Sequence, residues 1–345
     1  AFVGGAQYHN PMMQRYQKLT NDFGPLRFIG QLEVEYTDGS TQTFATDDSW
    51  KYTENTPYTF CSWYGGEDYD ANRATQESLQ ADIDSWRNAV LCTDTIGKLK
   101  AQYYQPTDVV ETWHPVSIKT MSDGDYLIDF GQNFAGQYEF TLKGTKGQTI
   151  QLWPAELLNA QGSIDQFQIG SPVYDQYTFS GETDGETWGP TLVYHGFRYL
   201  LVKGLDKAPS VNQFIAKRIR LGVKQTGSFS CSNNLLNDIH TLIVRSIASN
   251  LYNSLTDCPH REKLGWLEVP QLLYNSLVFN FDLAAWMPKV AMDTRDSQHD
   301  NGYVCNVAPG FFQLNDFWGN DPSWGGSTIL VPYRSYLTYG DVQTL

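Results

Sequence analysis

Between Thr256 and Glu268 the chain reads Thr-Asp-Cys-Pro-His-Arg-Glu-Lys-Leu-Gly-Trp-Leu-Glu. The stretch sets the carboxylates Asp257, Glu262 and Glu268 beside His260, Arg261, Lys263 and the flat indole of Trp266. Asp257 and Glu262 stand on either side of a turn that contains Pro259, so both can face one cleft. Two carboxyl groups in a cleft suit glycoside hydrolysis, in which one donates a proton to the leaving oxygen and the other, ionised, activates water or attacks carbon. A neighbouring carboxylate raises a partner's pKa and Arg261 lowers that of the group it pairs with, so the cluster has the means to separate an acid from a base. The alternative is a charge cluster at a helix start, closed by an Arg–carboxylate pair.

Such a turn needs rigid neighbours to aim its side chains, and the apolar pattern around it is helical. Ser232 can cap a helix in which Leu235, Ile239, Leu242, Ile243, Ile247 and Leu251 recur on one face. Pro270 suits a first helical turn, followed by Leu272, Leu273 and Leu277; a further helix is expected from about Pro322, with Trp324, Ile329, Tyr333, Tyr336 and Leu337 before Gly340. Pro288 and Pro332 mark kinks or boundaries. Residues 227–345 therefore read as all-α.

Upstream the pattern is β. Leu32, Val34 and Tyr36 alternate, Asp38-Gly39 turns the chain, and Thr41, Thr43 and Ala45 return. The segment from Trp63 to Asp70 packs aromatics, glycines and carboxylates, and reads as a solvated turn, with sugar or calcium binding as the functional alternative. Strands are expected at Tyr126–Phe130, Tyr138–Leu142, Thr149–Trp153, Tyr174–Phe179 and Tyr199–Val202, with Gly turns between them. This divides the chain into a partial β-sandwich over 1–95, a second sandwich over 96–226, and helices over 227–345. The run Gly131–Gly136 lacks the strand-to-helix setting of a phosphate loop.

With 38 acidic against 24 basic side chains and a net charge of -14, the chain repels nucleic acid and anionic membrane surfaces. Aromatics reach 14%, among them 10 Trp and 21 Tyr, which suits stacking on sugar rings as well as β-rich cores. The five cysteines show no metal spacing or CxxC pair, and no cofactor or metal is expected. No run of about eighteen apolar residues occurs, and Ala1 opens without a charged leader, so the expectation is a soluble, already processed protein.

The motif Asp257-Cys-Pro-His-Arg261, continuing to Gly265-Trp266, resembles the Asp-Cys-Pro-x-Arg-x-x-x-x-Gly-Trp signature of the α-L-rhamnosidases of glycoside hydrolase family 78. The likeness extends through Asp48-Ser-Trp-Lys51, Gly65-Gly-Glu-Asp-Tyr-Asp70, Asp129-Phe-Gly-Gln-Asn-Phe-Ala-Gly136, Ala155-Glu156, Tyr194-His-Gly-Phe-Arg-Tyr199, Asp321-Pro-Ser-Trp-Gly325 and Tyr339-Gly-Asp341, in order. The resemblance implies a mixed multidomain chain, β-sandwich domains followed by the first part of an (α/α)6 barrel. It implies release of terminal α-L-rhamnose with inversion, from a rhamnose-containing oligosaccharide or glycoside. Carried over, Glu262 is the general acid, Asp257 holds rhamnose hydroxyls, and Arg261 and Trp266 line the sugar pocket.

The chain departs from the family pattern at Gly265-Trp-Leu-Glu-Val269, where Gly-Trp-Thr-Gly-Asp is usual, and at Trp324-Gly-Gly326, where Trp-Gly-Asp is usual. Glu268 is the carboxylate left to bind sugar there, and Trp324 is assigned to the pocket, with Trp318 open between pocket and core. The variant motif also resembles rhamnose-glucuronate lyases, for which His260, His299 or Tyr303 would be the base. A third reading is a non-catalytic carbohydrate-binding fragment. His195 and Arg198 are expected to brace the domain interface. The 118 residues after Gly227 are too few for the twelve helices of such a barrel, so the general base and the partner half of the barrel are expected beyond Leu345, and further chain before Ala1.

Overall fold

The structure is a computed structural model and describes residues 3, 8–10, 14–74, 85–93, 97–310 and 321–345. Its largest feature is a ten-stranded sheet organised by one long strand, Tyr126–Leu142, which pairs with Ser117–Thr120, Glu186–Trp188, His195–Lys203 and Phe214–Leu221. The sequence pattern suggests two strands here, because Gly131-Gln-Asn133 breaks the alternation. In the structure those residues form an irregularity in the pairing with His195–Lys203, between Asp129 and Phe134, and the strand continues past it. Beyond the bend, Tyr138, Phe140 and Leu142 point inward while Glu139 and Thr141 do not. The inward rings close a core in which Phe197 meets Phe130, Phe134 and Tyr138 at centroid distances of 5.5, 4.4 and 6.0 Å.

The stretch read as a solvated turn is a hairpin of this same sheet, Tyr58–Ser62 and Gly66–Asp70. Gly66–Asp70 runs parallel to Asp175–Thr178, so the boundary expected near residue 95 falls between strands of one sheet. Close approach requires a glycine: Gly66 has φ +111°, and a Cβ there would collide with the Tyr174 carbonyl. The carboxylates that made the segment look exposed are buried and compensated from far along the chain. Asp68 takes a two-pronged contact from the Arg15 guanidinium at 2.7 Å, and Glu67 accepts the backbone N–H groups of Thr191 and Leu192. Asp70 instead caps the 3-10 turn Ala71–Arg73.

Burial pushes the Glu67 carboxyl up to about 7 against the pull of its N–H donors, and the nearby Asp175 charge adds to the rise. A raised carboxyl pKa means that the folded state holds a proton the unfolded chain has lost, so this group's contribution falls as pH rises from about 4.5 to about 7. Glu67→Gln is therefore expected to gain stability relative to the wild type over that interval, by roughly 2–3 kcal/mol, measured as the difference in denaturant midpoints at pH 4 and pH 8.

The expected hairpin is present as Gln31–Glu35 against Thr41–Ala45. The period change near Gly227 also appears: from Asn234 the chain forms helices Asn234–Asn250, Glu268–Leu272, Tyr274–Asn280, Trp286–Asp296, Pro322–Gly325 and Ser327–Tyr339. Asn233, not Ser232, caps the first, its side chain accepting the Leu235 N–H; the two residue types cap equally well, so the choice is decided by where the preceding chain enters. Only the C-terminal part of the expected apolar face is covered. Ile247 and Leu251 are buried with Trp286, Leu277 and Tyr274, whereas Leu235, Ile239, Leu242 and Ile243 are exposed. The last helix ends where expected, with Gly340 at φ +71° donating to the Tyr336 carbonyl. No helix of the described residues is long and apolar enough to cross a membrane.

Candidate active site

The turn between the first two helices is bound on three sides. Asp257 and Leu264 close it through Asp257 N–H to Leu264 O at 3.0 Å and Leu264 N–H to Asp257 Oδ1 at 3.2 Å. The Glu262 N–H donates to Cys258 Sγ at 3.2 Å. From the β part, Tyr16 Oη donates to the Arg261 carbonyl at 3.1 Å and Tyr64 Oη to the Glu262 carbonyl at 2.9 Å. Lys263 adopts φ +53°, a conformation that costs a side-chain-bearing residue of order 1 kcal/mol. Its buried ammonium offsets this by donating to the carbonyls of Trp63 at 2.8 Å and Tyr194 at 2.7 Å, against both of their rings. Burial lowers the Lys263 pKa to about 7.

Within this frame Glu262 is held by both oxygens. Trp266 Nε1 donates to Oε2 at 3.0 Å, and Lys18 Nζ donates to Oε1 at 3.0 Å. Arg261 Nη2 lies 3.5 Å from the same Oε1. Asp257 and Glu262 are also hydrogen-bonded to each other. Burial pushes both carboxyls up, but the Trp266 N–H and the Lys18 ammonium outweigh it at Glu262, which lies below the ordinary range. Asp257 rises to about 6, through burial and the Glu262 charge, against the pull of the Cys258 thiol. Of the two carboxyls, Asp257 is therefore the one that keeps a proton to higher pH. A directly bonded pair leaves no room for the water an inverting pair holds between carboxyls about 6.5–9.5 Å apart, so Asp257 and Glu262 are not an acid–base couple of that kind.

Of the residues singled out in the sequence, Asp257, Arg261, Glu262 and Trp266 come together. Trp324 packs edge-on to Trp266, with ring centroids 6.3 Å apart. Glu268 opens the helix Glu268–Leu272, and burial together with the Asp321 charge raises its pKa. Trp318 lies outside the described residues. His260 is 2% exposed and packs against the His195 ring at 5.7 Å, so it faces the interface and not an open cleft. His299 lies beside Tyr303 and Cys305.

The His195 ring packs on His260 of the turn, while its buried Nε2 lies 2.9 Å from Asp175 Oδ2 inside the β part; Arg198, expected at the interface, instead pairs within the sheet. Arg198 forks onto Asp129 at 2.8 and 2.9 Å, on the edge of a cavity of about 390 Å3 that Asn133, Glu156 and Tyr199 also line. Beneath the turn, a Cβ on Gly196 would stand 2.7 Å from Pro259 Cγ. Gly196→Ala is expected to push the turn outward and lower kcat about tenfold or more with the fold retained, checked by turnover and circular dichroism.

Sequence reasoning missed Tyr16, Lys18 and Tyr64, which reach the turn from at least 198 residues away. Lys263 carried a signal in being a lysine inside an otherwise compact turn.

Two carboxyls beneath a tryptophan, at the turn between the first two helices and held from the β part, are groups of the kind that glycoside hydrolysis employs. Three domain models match the chain in order: α-L-rhamnosidase N-terminal domain over residues 1–111, bacterial α-L-rhamnosidase concanavalin-like domain over 119–220, and bacterial α-L-rhamnosidase 6 hairpin glycosidase domain over 224–345. An α-L-rhamnosidase of Formosa agariphila is 30% identical over 337 residues, covering 92% of this chain and 35% of that protein. The structure of an α-L-rhamnosidase from Dictyoglumus thermophilum superposes with a TM-score of 0.86 at 33% identity, covering 92% of this chain and 36% of that one. That of Streptomyces avermitilis α-L-rhamnosidase complexed with L-rhamnose gives 0.89 at 26% identity, covering 99% and 33%. The chain belongs to the α-L-rhamnosidases of glycoside hydrolase family 78. It spans about a third of the length of these relatives.

Proposed function

We propose that the intact protein releases terminal α-L-rhamnose from glycans or glycosides with inversion, and that Glu262 is its general acid. The observation that carries this is the Glu262–Asp257 pair, hydrogen-bonded under Trp266 in a turn fixed from both the β and the helical parts. Rhamnose hydroxyls donating to Asp257 would stabilise its ionised form and break its bond to Glu262. The shared proton then belongs on Glu262. Glu262 gives that proton to the glycosidic oxygen as the bond to the anomeric carbon breaks; water attacks the opposite face and loses its proton to a carboxylate supplied from outside this turn. Trp266 and Trp324 offer apolar surface to the sugar ring, and Arg261 and Glu268 complete the polar set.

A glycan-degrading role supports a location outside the cytoplasm, extracellular or periplasmic, where polymeric substrates lie. The test is release of rhamnose from an aryl α-L-rhamnoside by the intact protein and its loss in Glu262→Gln. An unsaturated uronate product without hydrolysis would instead identify a lyase, and binding without any product a carbohydrate-binding relic.

A further inference from the structure

Both members of the carboxyl pair are tied to one sulfur. The Cys258 thiol donates to Asp257 Oδ2 at 3.2 Å, and the same Sγ accepts the Glu262 N–H at 3.2 Å, with the Lys263 N–H as a second donor. A thiol is ordinarily a weak donor and a weak acceptor, and here it serves as both. Burial and the Asp257 charge push its pKa up to about 11, so Sγ keeps the proton it donates throughout the range in which the carboxyls titrate.

A hydrogen bond donated to a carboxyl favours its ionised form. Within a pair that shares one proton, a donor on Asp257 therefore favours the arrangement with Asp257 ionised and Glu262 protonated. That is the arrangement a general acid at Glu262 needs. Lys18 and the Trp266 N–H pull the other way, since each favours ionised Glu262, and Arg261 lies 3.5 Å from the same carboxyl. Cys258 and the Leu264 N–H, which reaches Asp257 Oδ1, stand on the opposite side of this balance. Tyr16, Tyr64 and Tyr194 face the pair as well and stay protonated, because burial raises all three. Lys263, lowered to about 7 by burial, is fixed on the Trp63 and Tyr194 carbonyls.

We propose that Cys258 is a positioning residue whose thiol, bonded to the side chain of Asp257 and to the backbone of Glu262, directs the proton of the pair onto Glu262. This rests on the reading of Glu262 as general acid above. Removing the thiol makes Asp257 hold a proton more tightly and leaves the proton affinity of Glu262 beside ionised Asp257 as it was. Where the pair carries one proton, fewer molecules then have it on Glu262. Where the pair is fully ionised, the number that acquire it there is the same. The loss is thus confined to the acid side.

The experiment follows kcat/KM of the intact protein on a rhamnosyl glucose from pH 5 to pH 8. Cys258→Ala is expected to fall about three- to tenfold below the wild type near pH 5 and to approach it by pH 8, with its alkaline limb moved up by about half to one pH unit. Cys258→Ser, whose hydroxyl can donate from the same position, is expected to stay within about twofold of the wild type. A loss equal at every pH in Cys258→Ala, or no loss, overturns the proposal. Infrared spectroscopy reads the bond with the sulfur in place. The S–H stretch of Cys258, isolated as the difference between wild type and Cys258→Ser, is expected to shift as Asp257 titrates near 6 and to be constant in Asp257→Asn. A band indifferent to pH in the wild type overturns the proposal, also where Cys258→Ala fails to fold. If the wild type releases no rhamnose at any pH, the glycosidase reading fails, and the infrared shift alone decides whether the thiol answers to the pair.

Discussion

Glu262→Gln is expected to lower kcat on rhamnosides by about 10²–10⁴-fold, the usual contribution of a positioned general acid. The substitution preserves shape, and the Gln side-chain carbonyl can still accept the Trp266 N–H, so circular dichroism and the unfolding midpoint should be close to those of the wild type. The loss should depend on the leaving group. A nitrophenolate departs without much protonation, whereas a sugar alkoxide does not, so the deficit is expected to be larger on a disaccharide than on an aryl rhamnoside. Asp257→Asn tests the other half of the pair: with the partner carboxylate gone, the shared proton has one site, and the group with a pKa of about 6 should disappear from a titration of the site. Wild-type turnover by Glu262→Gln on both kinds of substrate would remove it from the acid role.

Asp175→Ala is expected to be the most destabilising single change in the β part, by about 3–5 kcal/mol, because it removes one partner from a buried charged network. The fully buried Asp175 carboxylate accepts Tyr138 Oη at 2.6 Å, His195 Nε2 at 2.9 Å and the Glu67 N–H at 2.8 Å. Alanine leaves all three without that acceptor. Burial alone would raise the Asp175 pKa; the His195 charge and the hydrogen bonds reverse this, and the carboxyl lies below its ordinary value. A depressed folded pKa contributes stability that is present above the unfolded value and lost as pH falls through the folded one, so the gap between wild type and mutant should narrow only in strong acid. Since the His195 ring packs on His260 in the turn, turnover should fall with stability. Thermal unfolding from pH 3 to pH 8 checks the first claim, and kcat at a temperature where both proteins are folded checks the second.

Much of this architecture could be read from the order of the residues. The change of period near Gly227, the hairpin around Asp38-Gly39 and the Gly340 stop are local patterns, and each appears in the structure because turn and capping chemistry acts over a few residues. The carboxylates of Gly66–Asp70 misled for the opposite reason. Their exposure is decided by Arg15, Thr191 and Leu192, which no local window contains. In the candidate site, the cluster Asp257, Arg261, Glu262 and Trp266 was visible because its members are neighbours in the chain. Lys18 was not, since nothing in its surroundings marks a lysine as the partner of a carboxylate 244 residues later. Nor could the sequence show that Asp257 and Glu262 touch, which turns a possible acid–base couple into a proton-sharing pair.

The turn that carries Glu262 belongs to the helical part, yet Tyr16, Tyr64 and the carbonyls of Trp63 and Tyr194 hold its backbone and its lysine. Grafting these helices onto another relative's sandwiches would thus succeed only where the host supplies two phenols and two carbonyls at matching heights. A family assembled in this manner should exchange its sugar-facing side chains freely while its domains diverge together, each pair a lock cut for one key.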